Sequence, residues 1–164
     1  MNSLYNYILK CNDFMGDITI DQAFIDYRNQ MMWKFRSNGR DENQRLMDAD
    51  CLIVEYTMIQ SAFAEESYCK EFDYEVRQYN AKVDVKIYDK WFNIPSDKLE
   101  WYKMNIKKGL LTHFAFHRWV NKPTKPLVVG DVVKTELVNV ISAVEVLSNL
   151  SISQYDGYYY IPKK

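Results

Sequence analysis

Apolar residues along this chain recur mostly at helical spacing. The clearest run is Asp131 to Leu150, where Asp131 opens a stripe of Val133, Leu137, Val140, Ile141, Val144 and Leu147 that predicts a core helix. Asn2 to Lys10 predicts a short helix with Leu4, Tyr7 and Ile8 on one side. Thr19 is placed to cap a second helix, Ile20 to Arg36, carried by Ala23, Phe24, Tyr27, Met31 and Phe35. Asp41 caps a third, and neither proline nor glycine interrupts the chain before Ala81. As one helix that segment would run about 60 Å, against roughly 40 Å for a compact domain of this size, so the expectation is a break or kink near Ala64 to Ser67, or else an elongated molecule. Pro95-Ser96-Asp97 starts a fourth helix through Trp101 and Ile106 towards Trp119, with Gly109 as its weak point.

One segment departs from this period. Val83-Asp84-Val85-Lys86-Ile87-Tyr88 alternates apolar and polar residues, the mark of a half-buried strand, and Tyr158-Tyr159-Tyr160-Ile161 has the composition of a partner for it. The expected fold is therefore all-α: a single domain over residues 1–164, a bundle of four to five helices, with a minor two-stranded β element.

Composition narrows the setting. At 164 residues and 48% apolar content, the chain buries roughly two-thirds of the surface its unfolded form exposes, without disulfides. Cys11, Cys51 and Cys69 fit no metal-ligand spacing and read as reduced thiols of a cytoplasmic protein. The start MNSLYNYILK has no signal-peptide pattern, and no stretch approaches the apolar length of about 18 residues that a membrane span needs. Thirteen tyrosines with many Asn, Lys, Asp and Ile residues are compatible with a viral or phage origin.

A net charge of −1 conceals an asymmetry: Asp41 to Glu75 holds ten acids against two bases, whereas Lys98 to Lys125 holds seven bases against one acid. Oppositely charged segments of this kind bias docking, within the chain or across a homodimer, more than they stabilise.

Candidate chemistry is sparse. His113 and His117 stand at zinc spacing on a helix but lack a third ligand, and Phe114 sits where a catalytic glutamate would follow the first histidine. Glu71 and Glu75, with Asp73 between them, read as a solvated acidic face unless a second helix adds oxygens for Mg²⁺. Trp101, Tyr102, Phe114, Phe116 and Trp119 interleave with the basic segment, a pattern suited to phosphates and bases but equally to a helix core. No phosphate-binding glycine loop, dinucleotide fingerprint or nucleophile elbow is present.

From Phe116-His117-Arg118-Trp119, through the loop Val120 to Gly130, to Glu136-Leu137-Val138-Asn139 and the apolar Val140 to Leu150, the chain resembles the C-terminal part of the all-α nucleoside-triphosphate pyrophosphohydrolases, the MazG and dimeric dUTPase group. The resemblance covers about a third of the chain. It implies a Mg²⁺ site of four acids, two from a Glu-x-x-Glu and two from a Glu-x-x-Asp. Here the first pair falls near Asn105 and Lys108, and the second keeps Glu136 but has Asn139. One carboxylate of four seats a hard cation poorly. The expectation is thus a non-catalytic interaction protein on a degenerate scaffold of that group, without cofactor, acting on a protein partner or on itself, with Glu136, Asn139, Trp119, Arg118 and Lys108 as ligand-binding candidates. The alternatives are an active Mg²⁺-dependent pyrophosphohydrolase using Glu136 with acids from Asp41 to Glu75, and a single-stranded nucleic-acid-binding protein using Lys98 to Lys125.

Overall fold

The computed structural model describes residues 3–12, 18–31, 41–62, 73–154 and 156–163, and it overturns the all-α expectation. The described residues form five α-helices and nine strands in three sheets, an α/β fold. The elements are α1 (Ser3–Asn12), β1 (Ile18–Thr19), α2 (Gln22–Met31), α3 (Glu42–Ala62), β2 (Tyr74–Val76), β3 (Ala81–Ile87), β4 (Trp91–Pro95), α4 (Ser96–Lys107), β5 (His113–Trp119), β6 (Val132–Val133), β7 (Thr135–Ser142), α5 (Ala143–Ser148), β8 (Ser151–Ile152) and β9 (Asp156–Tyr160). The break expected between Ala64 and Ser67 lies outside the described residues. No helix among the described residues is long and apolar enough to cross a membrane.

The centre is a four-stranded sheet in the order β2-β3-β5-β7, antiparallel except for the parallel pair β3 and β5. Parallel neighbours need a long crossover, and here β4 and α4 supply it. Both faces of the sheet are covered. On one, Val83 and Val85 of β3, Ala115 of β5 and Leu137 and Val140 of β7 pack with Leu4 and Ile8 of α1, Phe24 of α2 and Ile53 and Val54 of α3. On the other, Phe114 and Phe116 of β5 and Val138 and Ile141 of β7 meet Leu99 and Tyr102 of α4, Val146 of α5, and Phe92, Ile94 and Tyr159 of the second sheet, β4-β9-β8. β1 and β6 form a separate pair.

The helix predicted from Asp131 to Leu150 is for the most part β7, and a bulge accounts for the misreading. Phe116 pairs with Asn139 but His117 pairs with Leu137, so Val138 is an extra residue on β7. An extra residue shifts the side-chain alternation by one. Leu137 and Val140 therefore share one face and Val138 and Ile141 the other, and a spacing of three imitates a helix. Only Ala143–Ser148 of the expected stripe is helical. Asp131 caps no helix; its carboxylate accepts from the Val128 N–H (3.0 Å) in the turn before β6.

Other expectations divide in the same way. The strand over Val83 to Tyr88 exists as β3, but the tyrosine strand β9 pairs with β4 and β8 instead of with it. α2 is capped by Asp21, whose Oδ1 accepts from the Phe24 N–H at 2.9 Å, while Thr19 lies in β1. Asp41 caps α3 as expected, accepting from the Gln44 N–H at 2.8 Å. α4 starts at Ser96 but ends at Lys107, where Gly109 takes a positive φ of 74° and turns the chain towards β5.

Candidate functional site

The alternation of β3 puts Ala81, Val83 and Val85 against the first core and leaves Asp84 and Lys86 on the opposite face. A strand covered on both sides is ordinarily apolar throughout, so a carboxylate and an ammonium on its inner face require a reason. Asp73 joins them from the bend just before β2. A short 3₁₀ turn at Arg77–Tyr79, closed by Asn80 in the left-handed conformation (φ 49°), folds β2 back onto β3. The resulting register, Tyr74 with Val83, brings Asp73 opposite Asp84. Two bonds hold it there: the Asp73 N–H donates to the Val83 carbonyl (2.9 Å), and the Asp73 Oδ2 accepts from the Val85 N–H (2.7 Å).

α4 closes the other side. Lys86 Nζ lies 3.7 Å from Asp84 Oδ2 and 5.6 Å from the centre of the Tyr102 ring. Lys98, in the first turn of α4, sets its Nζ 4.0 Å from the Trp101 ring centre and 5.3 Å from that of Tyr102. Asp84 is buried, Asp73 and Lys86 are half-buried, and Lys98 stands at the exposed rim.

The surroundings of Asp73, Asp84, Lys98 and Tyr102 work against charge. Burial, and then the charge of Asp84, push Asp73 up to about 6 against the opposing Val85 N–H. Burial likewise raises Asp84, opposed by Lys86 and Lys98. Lys98 is lowered by burial and then by Lys86. Tyr102 is pushed up to about 12 by burial. Perturbed acids and bases gathered at one place are a feature of functional sites, and structural ion-pair networks share it.

Among the described residues no three His, Cys, Asp or Glu side chains converge on one point. Two carboxylates nevertheless suit Mg²⁺, which keeps several waters and completes its shell with substrate phosphates.

The residues singled out in the sequence lie elsewhere. Arg118 and Glu136 are cross-strand partners on β5 and β7 and form a close, partly exposed ion pair. Asn139 lies beyond the bulge, and its amide donates to the Pro162 carbonyl (3.2 Å), so the helical turn expected to align it with Glu136 does not exist. Lys108 ends α4. Trp119 lines a cavity of about 230 Å³ with Gln44, Met47, Asp48, Asp50 and Cys51 of α3 and with Lys122 and Pro123. At that cavity Asp50 is held by Arg28 (3.4 Å) and by the Leu127 N–H (2.9 Å). Of the five candidates, Arg118 and Glu136 meet each other, and none enters the Asp73–Asp84 cluster.

The histidine pair dissolves as well. On a strand, four residues span about 13 Å. His113 Nδ1 pairs with Thr112 Oγ1 (2.8 Å), whereas His117 is buried with no partner for its Nδ1. Glu71 lies outside the described residues, and Glu75 belongs to β2. Of the interleaved aromatics, Tyr102, Phe114 and Phe116 are core. The signal for Asp84 and Lys86 was present in the alternating strand, whose polar positions suggested a solvated face. Asp73 carried none, because only the hairpin register brings it across.

Comparison with known proteins finds no matching family, no matching curated protein and no matching solved structure.

Proposed function

We propose that this protein is a divalent-cation-dependent hydrolase of nucleic-acid phosphodiester bonds, in which Asp73 and Asp84 hold the ion and Lys86 faces the reacting phosphate. The observation that carries this reading is the placement of Asp73 opposite Asp84, with Lys86 next along the same face of β3. Opposed, partly dry carboxylates repel each other, and a divalent ion between them turns that repulsion into attraction. The cluster fits such an ion on charge and donor chemistry, with the phosphate and waters supplying the remaining oxygens.

Each group has a role in the displacement. A divalent ion held by Asp73 and Asp84 would supply positive charge to the phosphate oxygens and make an attacking water more acidic. Asp73 and Asp84 fix the position of that charge. The Lys86 ammonium, a compact point charge held by Asp84, offsets the negative charge that gathers on the phosphoryl oxygens as the water oxygen bonds to phosphorus and the bond to the departing sugar oxygen breaks. The attacking water loses its proton to solvent, and the departing oxygen gains one from water. Lys98 at the rim gives the neighbouring phosphate of a polymer a cation to lie against. This favours a polynucleotide over a free nucleotide. It departs from the pyrophosphohydrolase alternative of the sequence in substrate and in ligands, and shares with it only the divalent ion.

The test is cleavage of single-stranded and duplex DNA and RNA in Mg²⁺ or Mn²⁺. Cleavage should stop in EDTA and fall at least 100-fold in Asp84→Asn protein purified in parallel. Equal activity of that variant, or no cleavage of any polymer with either ion, overturns the proposal.

A further inference from the structure

The second sheet has one face in the core and one in solvent, and its solvent face has the wrong composition for that position. Phe92, Ile94 and Tyr159 point inwards. Outwards stand Trp91 and Asn93 of β4, Tyr158 and Tyr160 of β9 and Ser151 of β8, placed side by side by the pairings Trp91 with Tyr160, Asn93 with Tyr158 and Ser151 with Tyr158. The solvated face of an antiparallel sheet is ordinarily polar, whereas here Trp91 is 49% and Tyr160 55% exposed. Their rings meet edge to face at 5.1 Å, which braces Trp91 and leaves ring surface open to solvent. Trp91, Asn93, Ser151 and Tyr158 line a shallow groove of about 490 Å³.

We infer that this groove is a stacking platform for single-stranded nucleic acid, with unpaired bases lying on Trp91 and Tyr158 and the Asn93 amide and Ser151 hydroxyl meeting their edges. Three features of the face favour that occupant. Its apolar surface is aromatic, and ring faces stack on any base. Lys90 precedes Trp91 and Lys163 lies beyond Tyr160, brought to the same end of the sheet because the Ile161 N–H donates to the Lys90 carbonyl (2.8 Å), so cations for the phosphates border the rings, against one acid, Asp89, on that side. Finally, β4 passes directly into α4, about 13 Å along the strand from Trp91 to Pro95, so the groove and Lys98 of the proposed site are carried by consecutive elements. This inference rests on the proposed phosphodiesterase for where the strand leads, and it identifies the substrate as one with an unpaired tract.

The experiment uses full-length Asp84→Asn protein in EDTA, so binding is read without cleavage. A fluorescein-labelled oligothymidylate is followed by anisotropy and by quenching of tryptophan emission. Quenching and saturable binding are expected. Replacing Trp91 and Tyr158 together by alanine should weaken binding about tenfold or more, Trp91→Phe should retain most of the affinity, and a duplex of equal length should compete poorly. Both positions are at the surface, and circular dichroism checks that the variants stay folded. Unchanged affinity in the double variant overturns the inference, as does a wild-type dimer in sedimentation that the double variant dissolves, since the face would then be a contact between copies. Because metal and Asp84 are absent throughout, neither result bears on whether the chain cleaves.

Discussion

Asp73 and Asp84 oppose each other across the β2–β3 hairpin, and burial first, then the charge of Asp84, push the Asp73 pKa up to about 6. The sign of its pH effect follows. A carboxyl whose folded pKa exceeds its unfolded value stabilises the fold at low pH, and that contribution is lost as pH rises from about 4 through about 6. For Asp73 it amounts to about 3 kcal/mol at most. A divalent ion competes with those protons, so Mg²⁺ should raise the melting temperature strongly at pH 8 and little at pH 5. Asp73→Asn keeps an oxygen for the Val85 N–H and removes the repulsion. The metal-free variant should melt higher than wild type at pH 8 and lose the Mg²⁺ response. A Mg²⁺ shift of wild-type size in Asp73→Asn would show that the ion binds elsewhere.

His117 acts in the opposite direction. Burial lowers its pKa to about 4, and its Nδ1 has no partner, so the ring is held neutral. A histidine with a depressed folded pKa stabilises the fold above about 6.5, and that stability disappears as pH falls from there towards 4. The loss is about 3 kcal/mol over the window. His117→Leu removes the titration while filling similar space. Urea unfolding at pH 7 and pH 4.5 should show the difference between the two pH values shrinking by about 2 kcal/mol in the variant.

How far the sequence reveals this fold depends on which periodicity survives in the folded chain. β3 was legible because Val83, Val85 and Ile87 alternate with polar residues without interruption. β7 was not, because the bulge at Val138 turns a period of two into pairs three apart, and β5, with Phe114-Ala115-Phe116-His117 buried on both faces, has no alternation to read. The cap at Asp41 and the start of α4 at Ser96 were legible because both signals are local. The site was not, since Asp73 and Asp84 are eleven residues apart in sequence and only a two-stranded register unites them.

Arg28 and Asp50 form a second buried pair, joining α2 to α3 and both to the loop before β6. Arg28 Nη1 donates to the Leu127 carbonyl at 2.6 Å, and Asp50 accepts from the Leu127 N–H at 2.9 Å. Even so, burial leaves the Asp50 pKa above its ordinary value, so desolvation outweighs Arg28. Removing one partner strands the other. Asp50→Ala should cost about 3 to 5 kcal/mol in chemical denaturation, whereas the double replacement Arg28→Met with Asp50→Leu should cost markedly less than the single one. Additive losses in the double variant would mean that the two charges are not coupled.

Glu136 and Asn139 provide the sharpest contrast with the site proposed for Asp73 and Asp84. On a helix they would share a face, and Asn139→Asp would then restore half of a four-acid Mg²⁺ centre. On bulged β7, Glu136 is committed to Arg118 while the Asn139 amide donates to the Pro162 carbonyl, which a carboxylate cannot replace. Asn139→Asp should therefore lower stability by about 1 kcal/mol and create no Mg²⁺-dependent shift in melting temperature. Glu136→Ala, which breaks a partly exposed pair, should cost no more than about 1 kcal/mol and leave Mg²⁺-dependent cleavage intact. If instead Glu136→Ala abolished cleavage while Asp84→Asn spared it, the catalytic carboxylates would have to be sought on β7, at the positions the helical reading first indicated.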